Sequence, residues 1–329
     1  MMKMNKIGPE LEGVFTVAIA GHVRPDGDCV GSCLGMYQYL TENFQHLKEV
    51  TVYLEEIGEC YRFLKGADKV CTSYDREMSY DLFIALDCGD KERLGKAKKY
   101  FETAKKTISI DHHISNCGYA QINHVVPDAS STSELVFDVI DQQKITKEIA
   151  EALYMGIAHD TGVFQYTCTS PKTMRIAAQL MEKGIHFSQI LDETFYSKTY
   201  VQKQILGRAL LESMLLLDGK CIVSVIHQKE FDFYNVKPSD LEGIVSCLRT
   251  TKGVEVAIFM YQNDIQQYRV SMRSNGKVDV NQIASYFGGG GHMMAAGCTM
   301  QGSMYDVINN LTGHIERQLN QENETRSPA

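Results

Sequence analysis

The amino-acid sequence predicts an α/β protein with two unlike domains. The N-terminal domain is the larger, with a mostly parallel sheet flanked by helices, and the C-terminal domain is a smaller mixed α/β unit. In the first half, short apolar segments alternate with amphipathic helical segments, the pattern of a parallel sheet, and this alternation is lost in the second half. The length of 329 residues suits about two domains, and 44% hydrophobic with 22% charged residues excludes wholesale disorder.

The predicted strands of the first half are short and apolar. They are Val14–Ala20, Val50–Leu54, Leu82–Leu86 and Thr107–Ile110. The third is apolar at every position, which is typical of a strand covered on both faces. The predicted helices are Cys29–Leu40, Leu135–Ile140, Thr146–Ala158 and a fourth that begins at Ser170-Pro171 and ends before Gly184. Ser131 and Glu134 predict a capping box before the second helix.

The second half shows a different order of elements. Residues 188–217 have a long helical pattern without a strand, which predicts a helical connector. The predicted strands beyond it are Cys221–Ile226, Val254–Tyr261 and Gln267–Met272, and the predicted helices are Pro238–Leu248 and Val280–Phe287. We therefore predict a larger first domain over 1–187, a connector over 188–217, a second domain over 218–320 and a frayed polar tail over 321–329.

Charge and cysteine content narrow the class of partner and compartment. Lys and Arg number 33 against 41 Asp and Glu, a net charge of −8, which argues against binding long duplex DNA. No apolar run reaches the roughly 20 residues that span a bilayer, and no apolar block follows the N-terminal lysines, so we expect neither a membrane segment nor a signal peptide. The ten cysteines are scattered without a CxxC pair, which predicts reduced, mostly buried thiols and a cytoplasmic location.

Acidic and histidine side chains cluster where predicted elements end. His22, Asp26 and Asp28 follow the first strand, Asp87 follows the third, and Asp111-His112-His113 follows the fourth. Asp160 ends a helix. Ligands of open α/β sheets bind outside the carboxyl ends of the strands, so these groups are expected to converge on one edge of the sheet.

Each cluster alone has an ordinary interpretation: a solvated loop carboxylate, a helix cap or a turn. Together they would crowd several carboxylates, and like charges repel. Divalent cations remove that cost. A carboxylate-rich set with histidine favours Mn²⁺ or a similar ion over a thiolate zinc site. There are more ligands than one ion needs, which predicts two ions, an arrangement used to hydrolyse phosphate esters.

These motifs resemble the four motifs of the DHH phosphoesterase superfamily: His22-x3-Asp26-x-Asp28, Asp87, Asp111-His112-His113 and Asp160. The segment FGGGGHMMAAG at 287–297 is similar to the signature of the DHHA-type C-terminal domain. Size and layout most resemble the nanoRNase and pAp-phosphatase group. The resemblance implies hydrolysis of short oligoribonucleotides to mononucleotides and of 3′-phosphoadenosine 5′-phosphate (pAp) to AMP.

The resemblance also implies a role for each motif residue. His22 and Asp26 would bind one Mn²⁺, and Asp28, His112 and Asp160 the other. Asp87 would bridge the two ions, which would activate a hydroxide for attack on phosphorus. His113 would face the scissile phosphate. Asp87 and His113 are therefore the implied catalytic residues.

The glycine run 288–291 is the main feature of the second half. Such runs are usually flexible linkers. Here the run lies inside a domain and is followed at once by His292, so Gly289, Gly290 and Gly291 are expected to form an anion nest. The resemblance suggests that Arg273 and His292 bind a terminal phosphate or ribose phosphate, with Ser274 beside them. Ser131, Thr132 and Ser133 are weaker candidates for phosphate contact.

Several alternatives stay open at this point. Within enzymes, the chain could act on cyclic di-AMP or its linear product pApA. A pyrophosphatase or exopolyphosphatase shares the metal motifs but has no need of the GGGGH unit for a nucleoside. From another class, a non-catalytic nucleotide or RNA sensor would bind without turnover. The expected partners are short single-stranded RNA, pAp or linear dinucleotides, and the resemblance suggests a homodimer.

Overall fold

A computed structural model describes residues 6–326, with side chains to residue 321. The chain divides into two compact units between Ser197 and Lys198. A six-stranded sheet lies at the centre of each unit. The α/β architecture with a parallel first sheet and a mixed second sheet is confirmed.

The sheet of the first unit is parallel throughout. Its strands are β1 Thr16–Ala20, β2 Glu49–Tyr53, β3 Val70–Cys71, β4 Leu82–Leu86, β5 Lys106–Asp111 and β6 Ile122–Val125. Their order is β3-β2-β1-β4-β5-β6, so the direction of winding reverses between β1 and β4. Reversal points of this kind open a crevice at the carboxyl ends of the strands. Strands β3 and β6 were not predicted, since one has two residues and the other carries Asn and His among its four.

Helices cover both faces of this sheet. They are α1 Gly27–Asn43, α2 Lys98–Thr103, α3 Thr132–Val139, α4 Lys147–Asp160, α5 Pro171–Met181 and α6 Phe187–Leu191. Helices α1, α3, α4 and α5 share the main hydrophobic core. The opposite face packs buried tyrosines and phenylalanines, with Tyr100 and Phe101 contributed by α2.

The predicted capping box at the start of α3 is half right. The Ser131 side chain accepts a hydrogen bond from the N–H of Glu134, as an N-cap should. The Glu134 carboxylate does not return the bond. It accepts instead from the hydroxyls of Ser130 and Thr173, both at 2.7 Å. Glu134 therefore ties α3 to the start of α5 rather than closing its own cap.

The second unit has a mixed sheet in the order β11-β12-β10-β9-β8-β7. Its strands are β7 Met214–Leu216, β8 Cys221–Ile226, β9 Val256–Asp264, β10 Gln267–Ser274, β11 Gly290–His292 and β12 Ala295–Gln301. Among the described strands of this second sheet, only β8 and β9 pair in parallel. The helices are α7 Tyr200–Leu211, α8 Gln228–Tyr234, α9 Ile244–Arg249, α10 Val280–Tyr286 and α11 Met304–Arg326. One core lies under α10 and α11, and a second lies under α7, α8 and α9.

Three details differ from the predicted elements of this half. The segment 188–217 is helical over most of its length, but it ends in strand β7, and the boundary between the units falls within it. The predicted helix Pro238–Leu248 is interrupted by Gly243, whose φ of 89° lies in the left-handed region, so α9 begins at Ile244. Helix α11 continues to Arg326, beyond the predicted start of the tail, and residues 327–329 lie outside the described part.

The cysteines form no disulfide, as predicted, but only half of them are buried. All ten lie within the described residues. No helix in the described part of the chain combines the length and apolarity needed to cross a bilayer.

Candidate metal centre

The carboxyl ends of three neighbouring strands bring the predicted ligands together. His22 lies two residues beyond β1, Asp87 directly follows β4, and Asp111 is the last residue of β5. Asp26 caps α1, accepting from the N–H of Cys29 at 3.1 Å, and Asp160 is the last residue of α4. Parallel pairing fixes where each strand ends, so the sequence motifs meet at one crevice.

Asp87 lies between two groups of side chains. Its Oδ2 is 3.5 Å from Nε2 of His22, which is also 3.5 Å from Oδ2 of Asp26. Its Oδ1 is 3.5 Å from Nε2 of His112, which is 3.0 Å from Oδ2 of Asp160. The two oxygens of one carboxylate therefore face two separate ligand sets, the placement a bridging ligand needs.

Asp28 completes the second set. Ligand atoms of Asp28, His112 and Asp160 all lie within 4.8 Å of one another. Ligand atoms of His22, Cys29 and Asp87 also lie within 4.8 Å of one another. The buried thiol of Cys29 therefore borders the first set. That thiol was not predicted as a site residue.

The carboxylates of the site favour positive charge on the groups beside them. Burial alone would lower the pKa of His22, but hydrogen bonds to Asp26 and Asp87 outweigh it and raise the pKa to about 12. Burial opposes protonation of His112 as well, yet hydrogen bonds to Asp160 and Asp87 raise its pKa to about 12. Without cations, protons on the two histidines balance the carboxylates. Histidine binds metal when neutral, so divalent ions replacing these protons fit the donor set.

The pKa of Asp28 shows the same demand. Burial raises it, and the negative charges of Asp87 and Asp160 raise it further. The Asp28 side chain is fully buried. Crowded carboxylates of this kind are stable in the ionised form only with compensating charge nearby.

Backbone strain also marks Asp87. Its φ is 54°, in the left-handed region that non-glycine residues rarely occupy, and it is 2% exposed. Such strain persists where the surroundings over-determine it, and it clusters at functional sites. The conformation follows from the turn that aims the carboxylate back across the ends of β1 and β5.

The N-terminus of α3 contacts two of the predicted ligand carboxylates. The N–H groups of Thr132 and Ser133 donate to Oδ2 and Oδ1 of Asp28, at 2.6 and 2.8 Å. The Thr132 hydroxyl donates to Oδ1 of Asp87 at 3.1 Å. The positive end of a helix stabilises a carboxylate placed there. Sequence reasoning considered Thr132 and Ser133 only for phosphate contact, whereas the structure places them on the ligands themselves.

Asp111 orients His113 instead of joining either ligand set. Nδ1 of His113 lies 2.7 Å from Oδ1 of Asp111, so Nδ1–H donates and Nε2 is left for another partner. The other oxygen, Oδ2, accepts from Nδ2 of Asn116 at 2.7 Å. The hydrogen bond that His113 donates to Asp111 raises the pKa of His113. Asn116 was missed, since no sequence pattern marks it.

His22 and His159 make different kinds of contact. Nδ1 of His22 lies 2.9 Å from the carbonyl oxygen of Val23, which fixes the tautomer and leaves Nε2 for the site. His159 Nε2 lies 2.9 Å from the Thr194 hydroxyl, and its ring packs so closely on Gly27 that a Cβ there would lie 2.2 Å from Cγ. His159 is therefore a packing residue.

In the second unit, Arg273 and His292 lie on one face of the sheet. Arg273 of β10 pairs with Ala295 of β12, and Ala295 pairs with His292 of β11. Directly paired residues share a face, so the small Ala295 separates the two larger side chains. Ser274 points the other way: it is buried, 3.4 Å from Glu255, and accepts from the N–H of Gly276. The structure does not bring Ser274 to that face.

The glycine run has a structural reason that the sequence did not show. A Cβ on Gly289 would lie 2.2 Å from the carbonyl oxygen of Gly297, and one on Gly291 would lie 2.4 Å from that of Ala295. These glycines let β11 approach β12. The N–H of Gly289 donates to Ala284, so it is unavailable for the predicted nest. Gly290 lies in the edge strand, where alternate N–H groups point outward.

Comparison with known proteins also finds two separate domains in the chain. A model of the DHH family, N-terminal domain, matches residues 16–157, and a DHHA1 domain model matches residues 218–321. A Thermus thermophilus protein named bifunctional oligoribonuclease and PAP phosphatase NrnA is 29% identical over 305 residues, covering 91% of this chain and 89% of its own. A Streptococcus mutans protein named probable bifunctional oligoribonuclease and PAP phosphatase NrnA is 30% identical over 304 residues, covering 90% and 93%.

A solved structure shows the same fold over most of the chain. The crystal structure of an exopolyphosphatase-related protein from Bacteroides fragilis superposes with a TM-score of 0.86 at 27% identity, and 93% of each chain is covered. With the family models and the 30% identical relative, this leaves no ambiguity about the class of protein. The chain belongs to the DHH family of phosphoesterases, hydrolases of phosphoester bonds, and carries a DHHA1 domain in its C-terminal unit.

Proposed function

We propose that this phosphoesterase hydrolyses short oligoribonucleotides to mononucleotides and pAp to AMP, with two Mn²⁺ ions bound at the site. The observation that carries the proposal is the placement of Asp87, whose two oxygens face separate ligand sets. The choice of substrate is supported by the names of the Thermus and Streptococcus relatives.

The ions would be held by residues of the first unit. His22 and Asp26 would bind one ion, Asp28, His112 and Asp160 the other, and Asp87 both. Two bound divalent cations would lower the pKa of a water molecule and neutralise charge on the phosphoryl oxygens. Thr132 and Ser133 keep the Asp28 carboxylate oriented toward the site.

His113 would act on the substrate itself. Asp111 holds the proton on Nδ1, so Nε2 faces away from that pair. A protonated Nε2 would donate to a phosphoryl oxygen or to the leaving group, where negative charge grows during the reaction. Asp111 stabilises the protonated ring and keeps it in one orientation.

Arg273 and His292 would bind a phosphate of the substrate. Arginine offers a planar fork of donors that matches phosphate geometry. Both residues lie on the same face of the second sheet, with Ala295 between them.

The test compares hydrolysis of pAp, a 5′-phosphorylated RNA dimer, a long RNA, cyclic di-AMP and pyrophosphate by the full-length protein in Mn²⁺. We expect AMP from pAp and mononucleotides from the dimer, with both activities abolished by Asp87→Asn. Asparagine tolerates the left-handed backbone of Asp87, so this variant removes the charge without adding strain. Asp90→Ala is the matched control, because Asp90 caps a neighbouring turn and is exposed.

The other outcomes assign different substrates. Turnover of cyclic di-AMP or pyrophosphate alone would keep the metal site and reject the proposed substrates. Binding of Mn²⁺ and nucleotide without turnover of any compound would indicate a sensor.

A further inference from the structure

Strands β10, β11 and β12 present one uncovered face, which we call the open face. By pairing and alternation it consists of Gln267, Arg269, Ser271, Arg273, Gly290, His292, Ala295, Gly297, Thr299 and Gln301. All ten are exposed or half-buried. The alternate positions of β10 and β12 are buried, and several of them pack against α10 and α11. One side of these strands therefore belongs to the core and the other is accessible.

The open face is positively charged in an acidic chain. It carries two arginines, Arg269 and Arg273, and none of its ten positions is Asp or Glu, although the whole chain has a net charge of −8. A positive local potential attracts anionic ligands. We therefore expect this face to bind short polyanions more tightly than neutral ligands.

The two arginines belong to two different rows of residues that pair across the strands. One row is His292, Ala295 and Arg273, and another is Thr299 with Arg269. Nη1 of Arg269 lies 3.1 Å from the Thr299 hydroxyl, which places the guanidinium over β12. The two arginines lie four positions apart along β10, which is about 13 Å from Cα to Cα.

A row of small residues lies between these two rows. It consists of Gly290, Gly297 and Ser271, which pair across the three strands. Two of these have no side chain and the third is small. A chain of nucleotides crossing from Arg273 to Arg269 would meet backbone rather than side chains along the way.

We propose that Arg269 and Thr299 form a further phosphate subsite for single-stranded oligonucleotides, occupied by phosphates that pAp lacks. This inference rests on the proposed function. pAp carries two phosphates. A 5′-phosphorylated trimer or pentamer has additional phosphates, and Arg269 would bind one of them and favour these substrates over pAp.

The test measures kcat/KM on pAp and on 5′-phosphorylated dimer, trimer and pentamer for wild type, Arg269→Ala and Arg269→Lys. Arg269→Ala should lose about tenfold more on the pentamer than on pAp, as expected for a lost phosphate contact. The salt dependence of log KM for the pentamer should become shallower by about 0.7, since one fewer counterion-releasing contact is made. Lysine keeps the charge and should restore most of that slope. Arg317→Ala, on α11 behind the sheet, is the control and should match wild type.

A binding measurement separates the two hypotheses. A fluorescent pentamer is titrated into full-length Asp87→Asn protein with and without Arg269→Ala. Weaker binding of the double variant supports the subsite even if wild type cleaves none of these substrates, in which case the proposed function fails alone. Equal binding, or equal losses on pAp and pentamer, overturns the subsite.

Discussion

Thr132 is hydrogen-bonded to Asp87: its hydroxyl lies 3.1 Å from Oδ1 of the carboxylate that faces both ligand sets. Its backbone N–H donates to Asp28 at 2.6 Å. One buried residue thus orients two carboxylates that come from different elements, and its position in the first turn of α3 makes this possible.

The Thr132 hydroxyl should therefore be needed for metal binding. Thr132→Val keeps the shape and the backbone bond but removes the hydroxyl, and should weaken Mn²⁺ binding by about 10- to 100-fold. Isothermal titration with Mn²⁺ measures this without turnover. Thr132→Ser should restore the affinity, and if valine binds Mn²⁺ as wild type does, the hydroxyl has no such role.

Asn116 should matter through His113. Asn116→Leu removes the donor to Oδ2 of Asp111 and leaves that buried carboxylate with one partner fewer. We expect kcat to fall by about 10- to 100-fold, with a smaller change in KM, because the ring of His113 is no longer held in place. Steady-state kinetics on pAp test this, with thermal unfolding to separate it from loss of structure. Asn123→Ala, whose side chain caps a local turn near β6, is the control.

Gly156 of α4 lets the ligand region pack. A Cβ there would lie 2.0 Å from Oγ of Ser133 and 2.9 Å from Oδ1 of Asp28. Gly156→Ala should lower the free energy of unfolding by about 1–3 kcal/mol, the usual cost of overpacking, and weaken Mn²⁺ binding as Asp28 shifts. Gly207→Ala in α7, where a Cβ meets nothing within 4 Å, should instead raise the free energy of unfolding by about 0.5–1 kcal/mol. Chemical denaturation gives both values, and equal changes would contradict the packing argument.

Asp81 should make stability depend on acid pH. A hydrogen bond from Lys105, with further bonds from the backbone of Phe15 and Thr16, lowers the pKa of Asp81 to about 2. The folded-state pKa lies below the unfolded value near 4, so the stabilisation is complete above pH 4 and is lost as pH falls toward 2. Asp81→Asn should cost about 1–2 kcal/mol of unfolding free energy at pH 7, after allowance for solvent screening, and little at pH 2. Urea denaturation at both pH values measures this, and a pH-independent difference would rule out the mechanism.

The strands and the acidic residues that follow them could be predicted because each signal is local. Apolar runs such as Leu82–Leu86 end directly in Asp87, and parallel strands end at one edge. The supports could not be predicted in this way. Thr132 contacts Asp28 across 104 positions of sequence, and Asn116 reaches Asp111 only through the shape of the loop after β5.

Arg273 and Ser274 lie on opposite faces of the second sheet. Arg273 and Ser274 were predicted together as substrate contacts, but consecutive residues of a strand point to opposite faces. Alternation from Arg273 leads instead to Ser271 and Arg269, which lie on the open face. The close approach that requires Gly289 and Gly291 was not accessible to the sequence, since it depends on the pairing of β11 with β12.

That pairing makes the spacing of the glycine run a measure of register. Strand β11 has only three residues, and the close contacts of Gly289 and Gly291 with the backbone of Ala295 and Gly297 fix its alignment. Deleting one glycine would move His292 by one position and turn its imidazole to the core side of the sheet. Deleting two would return it to the open face, one pleat further along the strand. The number of glycines, and not only their flexibility, determines where the imidazole stands relative to Arg273.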